Sequence, residues 1–140
     1  MLHDFKEIAV IAVVDDDALV RHEIARQLTS AGYEVVQYSL LAEFLNSLNT
    51  QQPLCVIVDF RTPVISAFHV QETLARCGGD VPVIVITAHH TPENIAQARR
   101  LGAMACLPKP VQDVTLLDAV ASALSASGNC ADRRQCFARW

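Results

Sequence analysis

A chain of 140 residues is one ordinary domain, and an apolar share of 51% gives it enough side chains to bury a core and excludes a disordered segment. Asp and Glu outnumber Lys and Arg by 15 to 11, a mildly acidic balance without the clustered basic face of a nucleic-acid surface, so no direct nucleic-acid binding by this chain is expected. The longest amino-terminal apolar stretch, Ile8 to Val14, is too short to span a membrane and wrongly flanked for a signal peptide, which points to a cytoplasmic protein without membrane contact.

Strand-like and helix-like runs alternate along the chain, the pattern of a parallel sheet covered by helices on both faces. The first strand is Ile8 to Val14, ending at Asp15-Asp16-Asp17. Ala18 to Ala31 carries Leu19, Ile24, Leu28 and Ala31 between charges, with Gly32 as a helix stop. Glu34 to Tyr38 is a short second strand, and Ser39 is placed to cap a helix bearing Leu41, Phe44, Leu45 and Leu48. Asn49 to Pro53 breaks that helix. Leu54 to Val58 is a wholly apolar third strand running into Asp59, followed by the loop Arg61-Thr62-Pro63 and a helix from about Ser66 to Arg76.

Val81 to Ile86 is the fourth strand and runs into Thr87. Thr91-Pro92-Glu93 combines an N-cap, a first-turn proline and a first-turn acid, and Leu101-Gly102 closes the helix they start. Ala103 to Leu107 is the fifth strand, ending at Pro108-Lys109-Pro110. Val111 to Ser125 is the last helix, with Val114, Leu117, Val120, Ala121 and Leu124 as its apolar stripe. The composition changes at Ala126-Ser127-Gly128-Asn129, so residues 1–126 read as one domain and residues 127–140 as a solvated tail or the start of a linker to an absent output domain.

Five cysteines with no paired spacing indicate neither a disulfide framework nor a zinc knuckle, and Cys55 and Cys106 read as small buried hydrophobes. The adjacent His89-His90 has no third ligand spaced to complete a metal site.

Polar groups thus appear where buried strands stop, and in an open parallel sheet the carboxyl ends of strands are where ligands bind. Asp15, Asp16 and Asp59 would converge at adjacent strand ends, where like charges about 4 Å apart repel by roughly 4 kcal/mol at an effective dielectric near 20. A cation is therefore expected. Oxygen donors without His or Cys suit Mg²⁺ rather than zinc. With Asp59 as a carboxylate nucleophile and Lys109 and the Thr87 hydroxyl as partners for phosphoryl oxygens, the set suggests phosphoryl transfer to Asp59.

The segments Val13-Val14-Asp15-Asp16-Asp17, Val56-Ile57-Val58-Asp59-Phe60-Arg61-Thr62-Pro63, Val83-Ile84-Val85-Ile86-Thr87-Ala88 and Leu107-Pro108-Lys109-Pro110 resemble the receiver domain of bacterial two-component response regulators, close to the FixJ-like group, over about Ile8 to Ser125. The resemblance implies a flavodoxin-like, doubly wound α/β fold: a five-stranded parallel sheet in the order 2-1-3-4-5 with five helices. It implies that Asp59 accepts a phosphoryl group from a phosphohistidine on a sensor histidine kinase. Asp16, Asp59 and the Arg61 backbone carbonyl would ligate Mg²⁺, with Asp15 acting mainly through water. Thr87 would move towards the phosphoryl group, Lys109 would pair with it, and the Lys109-Pro110 peptide would be cis. It further implies a homodimer through the fourth helix, fifth strand and fifth helix, and a signalling switch rather than a metabolic enzyme.

The chain departs from the family at Thr62, at Ala67 where glycine is common, and at Cys106 where an aromatic usually precedes the lysine by three residues. These departures motivate an alternative, a receiver-like interaction module that works without phosphorylation. A second alternative is a haloacid-dehalogenase-type phosphatase using Asp15 and Asp17 as its D-x-D pair. That family needs a further strand-end acid after the lysine, whereas Asp113 and Asp118 fall in the last helix.

Overall fold

The computed structural model describes residues 6–7, 10–59, 72 and 81–129. In chain order the elements are β1 (Lys6–Glu7), β2 (Val10–Val14), α1 (Ala18–Ser30), β3 (Glu34–Tyr38), α2 (Leu41–Ser47), β4 (Gln51–Gln52), β5 (Cys55–Asp59), β6 (Val83–Thr87), α3 (Pro92–Arg100), β7 (Ala105–Pro108) and α4 (Asp113–Asn129). Five strands form one parallel sheet in the order β3-β2-β5-β6-β7. Counting only those five strands along the chain, this is the order 2-1-3-4-5. Of the expected helix from Ser66 to Arg76 only Glu72, which is helical, is among the described residues; the rest of them contain four helices.

Both faces of the sheet are buried, which explains strands that read as unbroken apolar runs rather than alternating ones. The side-chain period of two still sorts them. Ile11, Val13, Cys55, Ile57, Ile84, Ile86, Ala105 and Leu107 share one face with Ile24 and Leu28 of α1 and Leu116, Ala119, Val120 and Ala123 of α4. Ala12, Val14, Val56, Val58, Val83, Val85 and Cys106 share the other with Phe44, Leu48 and Ala98, from α2, its C-cap and α3. Isoleucine thus dominates the central strands on the α1/α4 face and valine on the α2/α3 face. Each fully buried Ile or Leu contributes roughly 1.5–3 kcal/mol, so the two layers hold the sheet from both sides.

The helix ends follow local chemistry. Asp17 caps α1, its carboxylate accepting from Leu19 N at 3.0 Å and Val20 N at 3.4 Å. After α1, Gly32 has φ of +99° and its N–H donates to Thr29 O, while Gly102 has φ of +92° after α3, a left-handed position that any residue with a Cβ would strain. Thr91 caps α3 by accepting from Asn94 N at 3.2 Å, as its sequence signals imply.

Four expectations need correction. Ser39 is not the cap of α2: the helix begins one residue later, with Leu40 at the N-cap and no side chain bonding its first turn. The break from Asn49 to Pro53 contains β4, which pairs in parallel with β1 as a separate two-stranded sheet. The third, fourth and fifth strands of the sheet begin one or two residues later than hydrophobicity suggested, at Cys55, Val83 and Ala105, because Val81, Ala103 and Met104 are buried ahead of the paired residues. The last helix starts at Asp113 and runs to Asn129, past the compositional change at residue 126.

Burial raises the thiol of Cys55 to about 12 and that of Cys106 to about 11, which removes the thiolate needed for reaction. With iodoacetamide at mildly alkaline pH, peptide mapping should find both sites unmodified in the native protein and alkylated after unfolding in urea. Rapid native labelling of either would contradict the burial of the two strands.

Candidate functional site

The strand register builds the site. Val14 pairs with Val58, Val58 with Val85 and Val85 with Cys106, forming one row across the sheet on its α2/α3 face. One residue further along, the row is Asp15, Asp59, Ile86 and Leu107, with side chains in phase with the isoleucine face. Two acids therefore stand side by side at the carboxyl edge, next to two apolar residues. Lys109, in phase with Ala105 and Leu107, rises beyond β7 on the same side.

The Lys109 ammonium lies 3.1 Å from Asp15 Oδ2 and 2.9 Å from Asp59 Oδ1, tying together the ends of β2, β5 and β7. Its backbone N–H donates to Thr87 O at 2.8 Å, and the Lys109-Pro110 peptide is cis. One carboxylate oxygen from each of Asp15, Asp16 and Asp59 lies within 4.8 Å of the others. Asp15 and Asp59 are buried and Asp16 is exposed, so solvent reaches the cluster from the Asp16 side.

Asp15 is held on several sides. Its Oδ1 accepts from Asp17 N at 2.9 Å, its own N–H donates to Tyr38 O at 3.1 Å, and its carbonyl accepts from Arg21 Nη1 at 2.8 Å. Desolvation raises the Asp15 carboxyl above the ordinary carboxylate value and Asp59 adds to the rise, against the Asp17 N–H and Lys109, which lower it. For Lys109, burial alone would lower the ammonium, but the hydrogen bonds and charges of Asp59 and Asp15 outweigh it and the net shift is upward. Among the described residues these three carboxylates face the Lys109 ammonium, and like charges within 4.8 Å of one another repel by about 3 kcal/mol or more per pair at an effective dielectric of 20.

Thr87 stands out of phase with these groups, on the valine side of β6. Its hydroxyl accepts from His89 N at 3.0 Å and donates to His89 O at 3.3 Å, and Asn94 Nδ2 also donates to that carbonyl at 2.7 Å. His90 Nε2 is 2.9 Å from the Cys106 carbonyl oxygen, so the pair of histidines belongs to the loop after Thr87 and not to a metal cluster among the described residues. Cys106 itself is buried in the valine-face core.

Of the expected site residues, Asp15, Asp16, Asp59 and Lys109 come together, and Thr87 lies at the neighbouring strand end. Arg61, together with Thr62 and Ala67, lies outside the described residues. Asp17 does not join the cluster, because its carboxylate is the cap of α1, and the D-x-D reading of Asp15 and Asp17 loses its second acid. The sequence reading missed Arg21, whose guanidinium bonds both the Asp15 carbonyl and Gln37 Oε1. Its only signal was a basic residue in the second turn of a helix that starts beside the acidic run.

A five-stranded parallel sheet with clustered aspartates and a lysine at its carboxyl edge is the arrangement of a signalling receiver. The chain belongs to the response regulator receiver domain family, whose model matches residues 11–121, and its relatives place it in the FixJ-like group. It is 34% identical over 117 residues to the transcriptional regulatory protein FixJ of Azorhizobium caulinodans, a match covering 84% of this chain and 56% of that protein. A response regulator receiver protein from Burkholderia phymatum superposes with a TM-score of 0.74 at 40% identity, covering 84% of this chain and 96% of that one. A response regulator protein from Burkholderia pseudomallei, solved with a phosphorylated aspartic acid, a calcium ion and citrate, has a TM-score of 0.69 at 25% identity, covering 81% of this chain and 66% of that one. The chain spans about half the length of the curated relatives it matches.

Replacing Asp17 by alanine removes the cap while keeping the backbone N–H that holds Asp15. Asp17→Ala should cost about 1 kcal/mol in urea unfolding and leave phosphoryl acceptance intact; loss of acceptance in a folded variant would return Asp17 to the site.

Proposed function

We propose that Asp59 is the phosphoacceptor of this receiver and takes its phosphoryl group from a phosphohistidine of a sensor histidine kinase. The observation that carries the reading is the Asp59 carboxylate at a strand end, 2.9 Å from the Lys109 ammonium and clustered with Asp15 and Asp16. A carboxylate oxygen of Asp59 attacks phosphorus in line, the bond from phosphorus to the imidazole nitrogen breaks, and the electron pair returns to that nitrogen. The product is an acyl phosphate on Asp59.

Lys109 then donates to a phosphoryl oxygen from its place between the two acids. The Thr87 hydroxyl donates to another after releasing the His89 carbonyl, and Asn94 still holds that carbonyl. The oxygen-only donor set of Asp15, Asp16 and Asp59 and its solvent-facing Asp16 fit Mg²⁺, with the Arg61 carbonyl as a further donor. When bound there, Mg²⁺ supplies neutralisation of charge on the transferring group.

The protein acts as a switch in the cytoplasm and not as a metabolic enzyme. Among the described residues no helix is long and apolar enough to cross a membrane. Phosphorylation favours a homodimer through α3, β7 and α4. The reading without phosphate keeps one observation in its favour: buried Cys106 supplies no aromatic ring to move with Thr87.

Incubation with acetyl phosphate and Mg²⁺ should add the mass of a single phosphoryl group to the intact protein, and Asp59→Asn should abolish the addition. An unchanged mass for the parent protein rejects the reading. Light scattering on the phosphorylated protein should then show a higher oligomer; an unchanged oligomeric state and unaltered partner affinity after confirmed phosphorylation favour the module that signals without phosphate.

A further inference from the structure

Among the described residues, Arg21 is a strong cation beside the acidic strand end that the phosphoryl chemistry does not use. It sits in the second turn of α1, partly buried, and its guanidinium reaches back to the end of β2. Nη1 donates to the carbonyl of Asp15 at 2.8 Å, and Nε donates to Gln37 Oε1 on β3 at 3.1 Å. That carbonyl belongs to the peptide joining Asp15 to Asp16, so the fork grips the link between the two acids. The N–H side of Asp15 is already fixed by Tyr38 O at 3.1 Å.

We propose that Arg21 is a positioning residue for the divalent cation: by clamping the Asp15-Asp16 peptide against Gln37, it fixes the direction in which the Asp16 carboxylate leaves the backbone. The inference rests on the reading of Asp15, Asp16 and Asp59 as a Mg²⁺ site. Asp16 is the exposed member of that cluster, just beyond the last ladder pair of β2 at Val14. A guanidinium fits this work because its planar fork donates in two directions from one rigid group, which a lysine ammonium on a flexible stem does not reproduce.

The sign of the effect separates positioning from simple electrostatics. Removing a positive charge next to an acidic cluster tightens cation binding if charge alone matters, because the field at the site becomes more negative. Removing a group that orients a ligand weakens binding, and outer partners of metal ligands commonly matter by tenfold or more. Arg21 should show the second behaviour despite its charge.

The test is calorimetric titration of the full chain with Mg²⁺, comparing the parent protein with Arg21→Met, Arg21→Lys and Gln37→Ala. Methionine keeps an apolar stem for packing and removes the fork. Arg21→Met should weaken Mg²⁺ binding on the order of tenfold, Arg21→Lys should recover part of the loss, and Gln37→Ala should fall between the parent and Arg21→Met. Equal or tighter binding by a folded Arg21→Met overturns the inference while leaving the Mg²⁺ site standing. If Arg21→Met does not fold, Gln37→Ala decides, because Gln37 is exposed: weaker binding supports the clamp and unchanged binding overturns it. A parent protein that binds no Mg²⁺ rejects the site and the inference together.

Discussion

The ion pairs of Lys109 with Asp15 and Asp59 are the constraint around which this molecule is arranged. Two buried carboxylates in one cross-strand row would repel without a counter-charge, and breaking a buried pair by deleting one partner is expensive because it leaves an uncompensated charge. The ammonium meets this need only because β7 lies where it does in the sheet. The order β3-β2-β5-β6-β7 sets β2 and β5 next to each other, with β7 two strands from β5. Lys109 crosses that gap over Ile86 and Leu107. Topology, register and charge balance are thus one problem with one solution.

The three consecutive aspartates show how far position outweighs residue type. Asp15 is buried and held by a lysine and a backbone N–H, Asp16 is exposed at the rim of the cluster, and Asp17 terminates a helix. A run that looks like a block of like charge is divided among an ion pair, a cation-facing rim and a cap. Only the first two contribute to the proposed phosphoryl chemistry.

Most of the fold was legible because burial on both faces leaves strands as unbroken apolar runs, and because Thr91-Pro92-Glu93 and Gly32 carry helix signals with direct physical causes. Boundaries were less legible, since Val81, Ala103 and Met104 are buried ahead of the paired strand residues and hydrophobicity marks burial, not pairing. Gln51–Gln52 pairs with Lys6–Glu7 in a ladder only two residues long, too short to leave a periodicity to read. Ser39 misled because a cap needs to stand directly before the first helical residue, and Leu40 intervenes. The cluster of Asp15, Asp16, Asp59 and Lys109 was visible because each residue ends an apolar run. Arg21 was not, because its contacts run from a helix to backbone and amide groups that no spacing rule announces.

Asp59 ends β5 in phase with the isoleucine layer and Thr87 ends β6 in phase with the valine layer, both at the same carboxyl edge of the sheet. Under the proposed function, a bond made on one side is felt by a hydroxyl whose loop leads into a helix on the other.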